Sequence, residues 1–132
     1  PLLADVLQKF HEWITETHEM EEDDFIIVTC GNWDLGSMLP SECKMKGIQL
    51  HSRYPYYSHW IDLKGTYRDC YASKKLPPYR KMLDALGLKM EGRHHSGKDD
   101  ARNMVNIVFK MVEDGFLERF EVNASCKDKF KW

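Results

Sequence analysis

The 132 residues predict an α/β fold that is rich in helix and poor in strand. Three observations carry this expectation. Apolar residues recur at helical spacing in several separate stretches. Two short runs are instead continuous, apolar and β-rich. The order along the chain is helix, buried strand, helix, strand, helices, which suggests helices covering a small sheet.

Leu3, Val6, Leu7, Phe10, Trp13 and Ile14 set an amphipathic helix over roughly Leu3 to Thr17. "HEMEEDD" (His18–Asp24) is a polar connector. "FIIVT" (Phe25–Thr29) reads as a strand apolar on both faces, as in a parallel sheet. "CGNW" (Cys30–Trp33) turns the chain, and Asp34 opens a second helix through about Lys46. Trp60 to Leu63, inside the ambiguous "PYYSHWIDL", reads as a second short strand that leads into a helix near Lys64–Tyr71. "PPYRKMLDALGL" (Pro77–Leu88) has prolines before a short helix and Gly87 at its end. A long helix then runs from about Asp99 to near Gly115. "FLERFEV" (Phe116–Val122) reads as a final edge strand and "KDKFKW" as a loose tail.

Apolar residues make up 42% of the chain, enough for a real core, so disorder is excluded. No apolar run approaches the roughly 20 residues needed to span a bilayer. The opening "PLLADVLQKFHEW" does not read as a signal peptide. Cys30, Cys43, Cys70 and Cys126 are widely spaced, without a CxxC pair. They read as free thiols of a cytoplasmic or nuclear protein. Charge is uneven: residues 1–43 carry a net −9, residues 44–93 a net +7, and residues 94–132 balance. A basic middle can steer a polyanion or simply form a solvated face.

Chemistry concentrates in "GRHHSGKDDARN" (Gly92–Asn103), which places His94 and His95 beside Gly97, Asp99 and Asp100. An imidazole near hard oxygen ligands suits acid–base work beside Mg²⁺ or Mn²⁺. The rival is a polar turn in which one aspartate caps the helix and the other favours its positive end. Asp34 has the same two readings, as a ligand-facing residue after a strand or as an N-cap. A third reading outside catalysis is a helical interaction domain anchored by Trp13, Trp33 and Trp60.

"VTCGNWDLGSMLP" (Val28–Pro40), "WIDLK" (Trp60–Lys64), "MLDALGL" (Met82–Leu88) and "GRHHSGKDDARN" together resemble the Eri-type branch of the DEDDh 3′–5′ exonucleases. That branch includes the histone-mRNA 3′ exonucleases. The resemblance covers about residues 3–115. It is specific, because a G-x-W-D turn and an H-S-G-x-D-D-x-x-N turn occur in the right order. It implies a ribonuclease H-like exonuclease fold and a metal-dependent 3′–5′ exonuclease, an exoribonuclease that releases nucleotides from single-stranded RNA 3′ ends, with DNA as a second candidate. Two Mg²⁺ or Mn²⁺ ions are expected in the complete site. Asp34 and Asp100 would be metal ligands, His95 the general base, and Trp33 a stacking platform for the terminal nucleotide. His94 matches no family site residue.

The family also carries an Asp-x-Glu pair on its first strand. No aspartate in this chain is followed two residues later by glutamate, and "MEEDDF" (Met20–Phe25) has the wrong order. The expectation is therefore that residues 1–132 form the C-terminal two-thirds of a single exonuclease domain. The first three strands would come from the same or another chain. The alternative is a catalytically inactive, nuclease-derived RNA-binding or scaffold protein.

Overall fold

The computed structural model describes residues 1–93 and 95–122. His94, Cys126 and the "KDKFKW" tail lie outside the described residues, and so do the expectations placed on them. The chain divides into two compact units, one of Pro1–Ile61 with Val122 and one of Asp62–Glu121.

The first unit opens with helix α1 (Leu3–Glu12), which continues as a π turn over Trp13–Thr17. Leu3, Leu7 and Phe10 form the stripe that meets the core, while Val6 and Trp13 stay exposed. Thr15 Oγ1 donates to the His11 carbonyl at 2.8 Å. Such back-bonding competes for a helix carbonyl, and the ladder widens here to a five-residue step, His18 N–H to Trp13 C=O at 3.2 Å.

Strand β1 (Ile27–Thr29) and strand β2 (Trp60–Asp62) form a two-stranded sheet. β1 is shorter than its sequence suggests. Ile27 and Val28 are half-buried and only Thr29 is buried, so the expected burial on both faces is not seen. After β1 come a π turn (Asp34–Met38) and helix α2 (Leu39–Met45), which together fill the expected second helix. Helix α3 (Leu50–Arg53) and a 3₁₀ turn (Pro55–Ser58) precede β2. The core is Leu7, Leu35, Cys43, Leu50, Tyr54, Tyr56, Tyr57 and Trp60. Its phenols are desolvated, and burial pushes the Tyr56 hydroxyl up to about 12.

The second unit begins at the end of β2. Asp62 caps helix α4 (Leu63–Cys70), its Oδ1 accepting the Lys64 N–H at 3.0 Å. Helix α5 (Tyr79–Ala85) follows Pro77 and Pro78, and Leu88 N–H returns to the Leu83 carbonyl at 2.8 Å across Gly87, whose φ is +70°. Helix α6 (Gly97–Glu113) packs on α5. Met82, Leu83, Ile107 and Met111 are fully buried, each contributing about 1.5–3 kcal/mol.

The expected edge strand at Phe116–Val122 is not formed. Leu117–Arg119 is a 3₁₀ turn. The cause is local. Phe116 N–H wraps back to the Met111 carbonyl at 3.0 Å, and Arg119 and Phe120 N–H bond to Phe116 and Leu117 at 2.9 and 3.3 Å. Donors used this way are not available to a strand ladder.

Candidate active site

Two strand or loop junctions carry the residues singled out by sequence. The first lies between β1 and α2. Thr29 Oγ1 donates to the Gly31 carbonyl at 2.6 Å, and Gly31 sits at φ +105°, a conformation open to glycine. Asn32 Oδ1 accepts the indole N–H of Trp60 at 2.9 Å. Trp60 is only 1% exposed, so the core reaches up and grips the turn. It is a core residue and cannot serve as a surface anchor. The Asn32 carbonyl accepts the Gly36 N–H at 2.8 Å, and Leu39 N–H reaches the Asp34 carbonyl, so the following turn is a π turn.

This framework turns Trp33 outward, 66% exposed, next to an exposed Asp34. The Asp34 carboxylate makes no hydrogen bond or ion pair with any described residue. The N-cap role, which sequence left open, is therefore not the one it fills.

The second junction leads from α5 into α6. Asp99 Oδ2 accepts the Arg93 N–H at 3.0 Å. That bond first, then the Ser96 hydroxyl, and the nearby Arg102 and Lys98 charges hold the Asp99 carboxyl below the usual carboxylate range. One turn along the same helix face, Asn103 is 0% exposed. Its amide is fully used by one backbone residue: Oδ1 accepts the Glu91 N–H at 2.9 Å and Nδ2 donates to the Glu91 carbonyl at 3.0 Å. Gly92, at φ +68°, lies so close to the Asp99 carboxylate that any Cβ there would collide with it.

Between these fasteners, Ser96 N–H closes a turn onto the Arg93 carbonyl at 3.2 Å. His95 occupies that turn at φ +68° and is exposed. Left-handed backbone costs a β-carbon residue about 1–2 kcal/mol and persists only where its surroundings fix it. Here the fasteners on α6 fix it.

Asp100 is half-buried, and its Oδ1 accepts the Tyr79 hydroxyl at 2.6 Å. The two aspartates thus divide the labour that sequence could not assign. Asp99 fastens the loop, and Asp100 faces outward from it toward Tyr79. Asn32 and Tyr79 were not singled out from sequence, and Asn103 was named only as the last position of the H-S-G-x-D-D-x-x-N turn, with no role. Asn103 was findable, since it stands four residues after Asp99 and shares its helix face.

His95 and Asp100 share one junction, while Trp33 and Asp34 share the other. Among the described residues no three acidic, imidazole or thiol groups already form a metal-binding cluster. The chemistry of the donors still suits a hard cation. Asp34 offers a carboxylate with no partner among the described residues, and Asp100 keeps lone pairs beyond the one bonded to Tyr79. Both are oxygen donors of the kind Mg²⁺ and Mn²⁺ take, though two carboxylates fall short of six ligands.

With this geometry in place, comparison with known proteins defines the class. The chain matches the exonuclease family RNase_T over residues 1–108 and belongs to that family. It is 35% identical over 121 residues to ERI1 exoribonuclease 3 of Homo sapiens, covering 89% of this chain and 34% of the relative. It is 33% identical over 126 residues to an uncharacterised exonuclease domain-containing protein of Arabidopsis thaliana, covering 91% of this chain and 36% of that one. The chain thus spans about a third of the length of these relatives. Among solved structures, the nuclease domain of 3′hExo, a DEDDh family member bound to rAMP, superposes with a TM-score of 0.78 at 27% identity, covering 91% of this chain and 58% of that domain. Within the family, the chain is of the DEDDh, Eri-type branch, and the fold is the ribonuclease H-like one expected. Members of the DEDDh exonuclease family generally use divalent metal ions.

Proposed function

We propose that the protein is a 3′–5′ exoribonuclease that removes nucleotides from single-stranded RNA ends with Mg²⁺ or Mn²⁺. Residues 1–132 act in it as the C-terminal two-thirds of one exonuclease domain. The observation that carries the reading is the α5–α6 junction, where an exposed His95 is held in a left-handed turn on the same loop as the Asp100 carboxylate. A pure helix cap would need Asp99 alone. The name of the human relative, an exoribonuclease, and the adenosine monophosphate in the matched nuclease domain support RNA as substrate.

In this mechanism Asp100 and Asp34 would each serve as a ligand for divalent ions, together with the Asp-x-Glu pair that residues 1–132 do not contain. That pair would be supplied by strands of the same or another chain. Divalent ions held there would offset the charge that develops on the phosphate and the leaving oxygen. His95, as neutral imidazole, accepts the proton of the attacking water, a contribution typically worth about 10²–10⁴-fold. Trp33 offers a flat, exposed face on which the terminal base stacks, worth about 1–3 kcal/mol. Lys74, Lys75, Arg80 and Lys81 are exposed and form no ion pair with a described residue, which leaves them open to phosphates. Cys43 and Cys70 are free thiols, in keeping with the cytoplasmic or nuclear setting proposed.

A second reading is an inactive nuclease-derived RNA-binding or scaffold protein. A single assay separates them. The full-length protein is mixed with single-stranded RNA labelled at its 5′ end, with Mg²⁺, Mn²⁺ or chelator. Stepwise shortening with release of mononucleotides, lost on chelation, is expected. RNA that is bound but never shortened would select the scaffold reading.

A further inference from the structure

We infer that Tyr79 is the positioning residue for the Asp100 carboxylate, setting how that carboxylate meets a divalent cation. The inference rests on the reading of Asp100 as a metal ligand and adds a residue that no motif contains.

The hydroxyl of Tyr79 donates to Asp100 Oδ1 at 2.6 Å, at the short end for an O–H to carboxylate bond. Both groups are half-buried. Neither is placed by a mobile segment. Tyr79 is the first residue of α5, and Pro77 and Pro78 before it have fixed φ, so the helix entry has little freedom. α5 packs on α6, and Met82 and Leu83 on the first and Ile107 and Met111 on the second are fully buried. Asp100 sits in the first turn of α6, its own N–H bonded to the Ser96 carbonyl at 2.8 Å. The packing of two helices therefore dictates the distance between hydroxyl and carboxylate.

The bond also leaves the right amount free. An ionised carboxylate has about four lone-pair sites, and one hydroxyl occupies one of them. The remaining sites, Oδ2 in particular, stay available for a cation, with the carboxylate plane held still. Asp99 shows the contrast within the same turn, since its carboxylate accepts from both Arg93 and Ser96 and is committed to holding the loop. Partners that orient metal-ligating groups are typically worth about 10–100-fold in metal affinity.

The test titrates full-length apoprotein with Mn²⁺, read by electron paramagnetic resonance of the free ion, for the unaltered protein, Tyr79→Phe and Asp100→Asn. Tyr79→Phe removes one oxygen and keeps the ring, so thermal unfolding in chelator should be nearly unchanged. The expected result is weaker Mn²⁺ binding in both variants, about 10–100-fold for Tyr79→Phe, with the RNA affinity of Tyr79→Phe in chelator unchanged. Unchanged Mn²⁺ affinity in Tyr79→Phe beside a clear loss in Asp100→Asn would overturn the positioning role and leave Asp100 as ligand. Unchanged affinity in Asp100→Asn would instead remove the ligand reading, and the inference with it.

Discussion

The turn before Asp34 and the loop before Asp100 present similar residue types by different means. The first is held from below. A buried indole reaches up to Asn32, Gly31 supplies the bend, and the exposed Asp34 carboxylate bonds to no described residue. The second is held from the side. Asp99 and Asn103, on one face of α6, grip the backbone of Arg93 and Glu91 and force His95 into a left-handed turn. In the first junction a buried indole does the holding through Asn32, so Trp33 and Asp34 are not needed for it. In the second, polar residues do the holding, so only some of a conspicuous polar motif is left for chemistry.

That difference can be broken by substitution, beginning with the loop. Gly92→Ala combines left-handed strain with displacement of the Asp99 carboxylate, and should destabilise by about 2–3 kcal/mol in chemical denaturation. Asn103→Ala leaves the Glu91 N–H and carbonyl without their partners and should cost about 1–3 kcal/mol, with faster amide exchange at Glu91. At the other junction, Trp33→Ala should leave stability within about 0.5 kcal/mol, because the ring is exposed. Its effect should appear as weaker RNA binding, by about 1–3 kcal/mol. A stability loss there as large as in the loop would erase the contrast.

Acid sharpens the contrast further. The Asp99 carboxyl is held below its unfolded value, so its contribution is present above the ordinary carboxylate range and fades as pH falls through the lower folded value. The protection of the Arg93 amide, relative to its intrinsic exchange rate at each pH, should fall over that window in the unaltered protein and stay constant in Asp99→Asn. The smallest effect belongs to Gly97→Ala. No atom stands where its Cβ would go and its φ is not left-handed, so the change should be neutral or stabilising by up to about 1 kcal/mol.

Much of this arrangement was legible in the sequence. α1, α4, α5 and α6 announce themselves by periodic apolar residues and by Pro and Gly at their ends. The family motifs pointed to both junctions. What escaped depends on contacts between distant residues. The run from Leu50 to Ser58 folds as two short helical turns because Tyr54, Tyr56 and Tyr57 are drawn into the core, and no local period encodes that. Phe116–Val122 has strand-like composition, yet the wrap after α6 consumes its donors. The Tyr79–Asp100 bond joins residues 21 apart on two helices, which no local pattern can show.

The most direct test of the catalytic role of the α5–α6 loop is a double-mutant comparison of RNA shortening in the full-length protein. His95→Ala, Asp100→Asn and the double variant are measured at saturating RNA and metal. Groups that act together in one chemical step are strongly non-additive. Each single variant should lose about 10²-fold or more, and the double variant should be little slower than the worse single. Undiminished turnover in His95→Ala, or losses that simply multiply, would contradict a shared catalytic role for this loop.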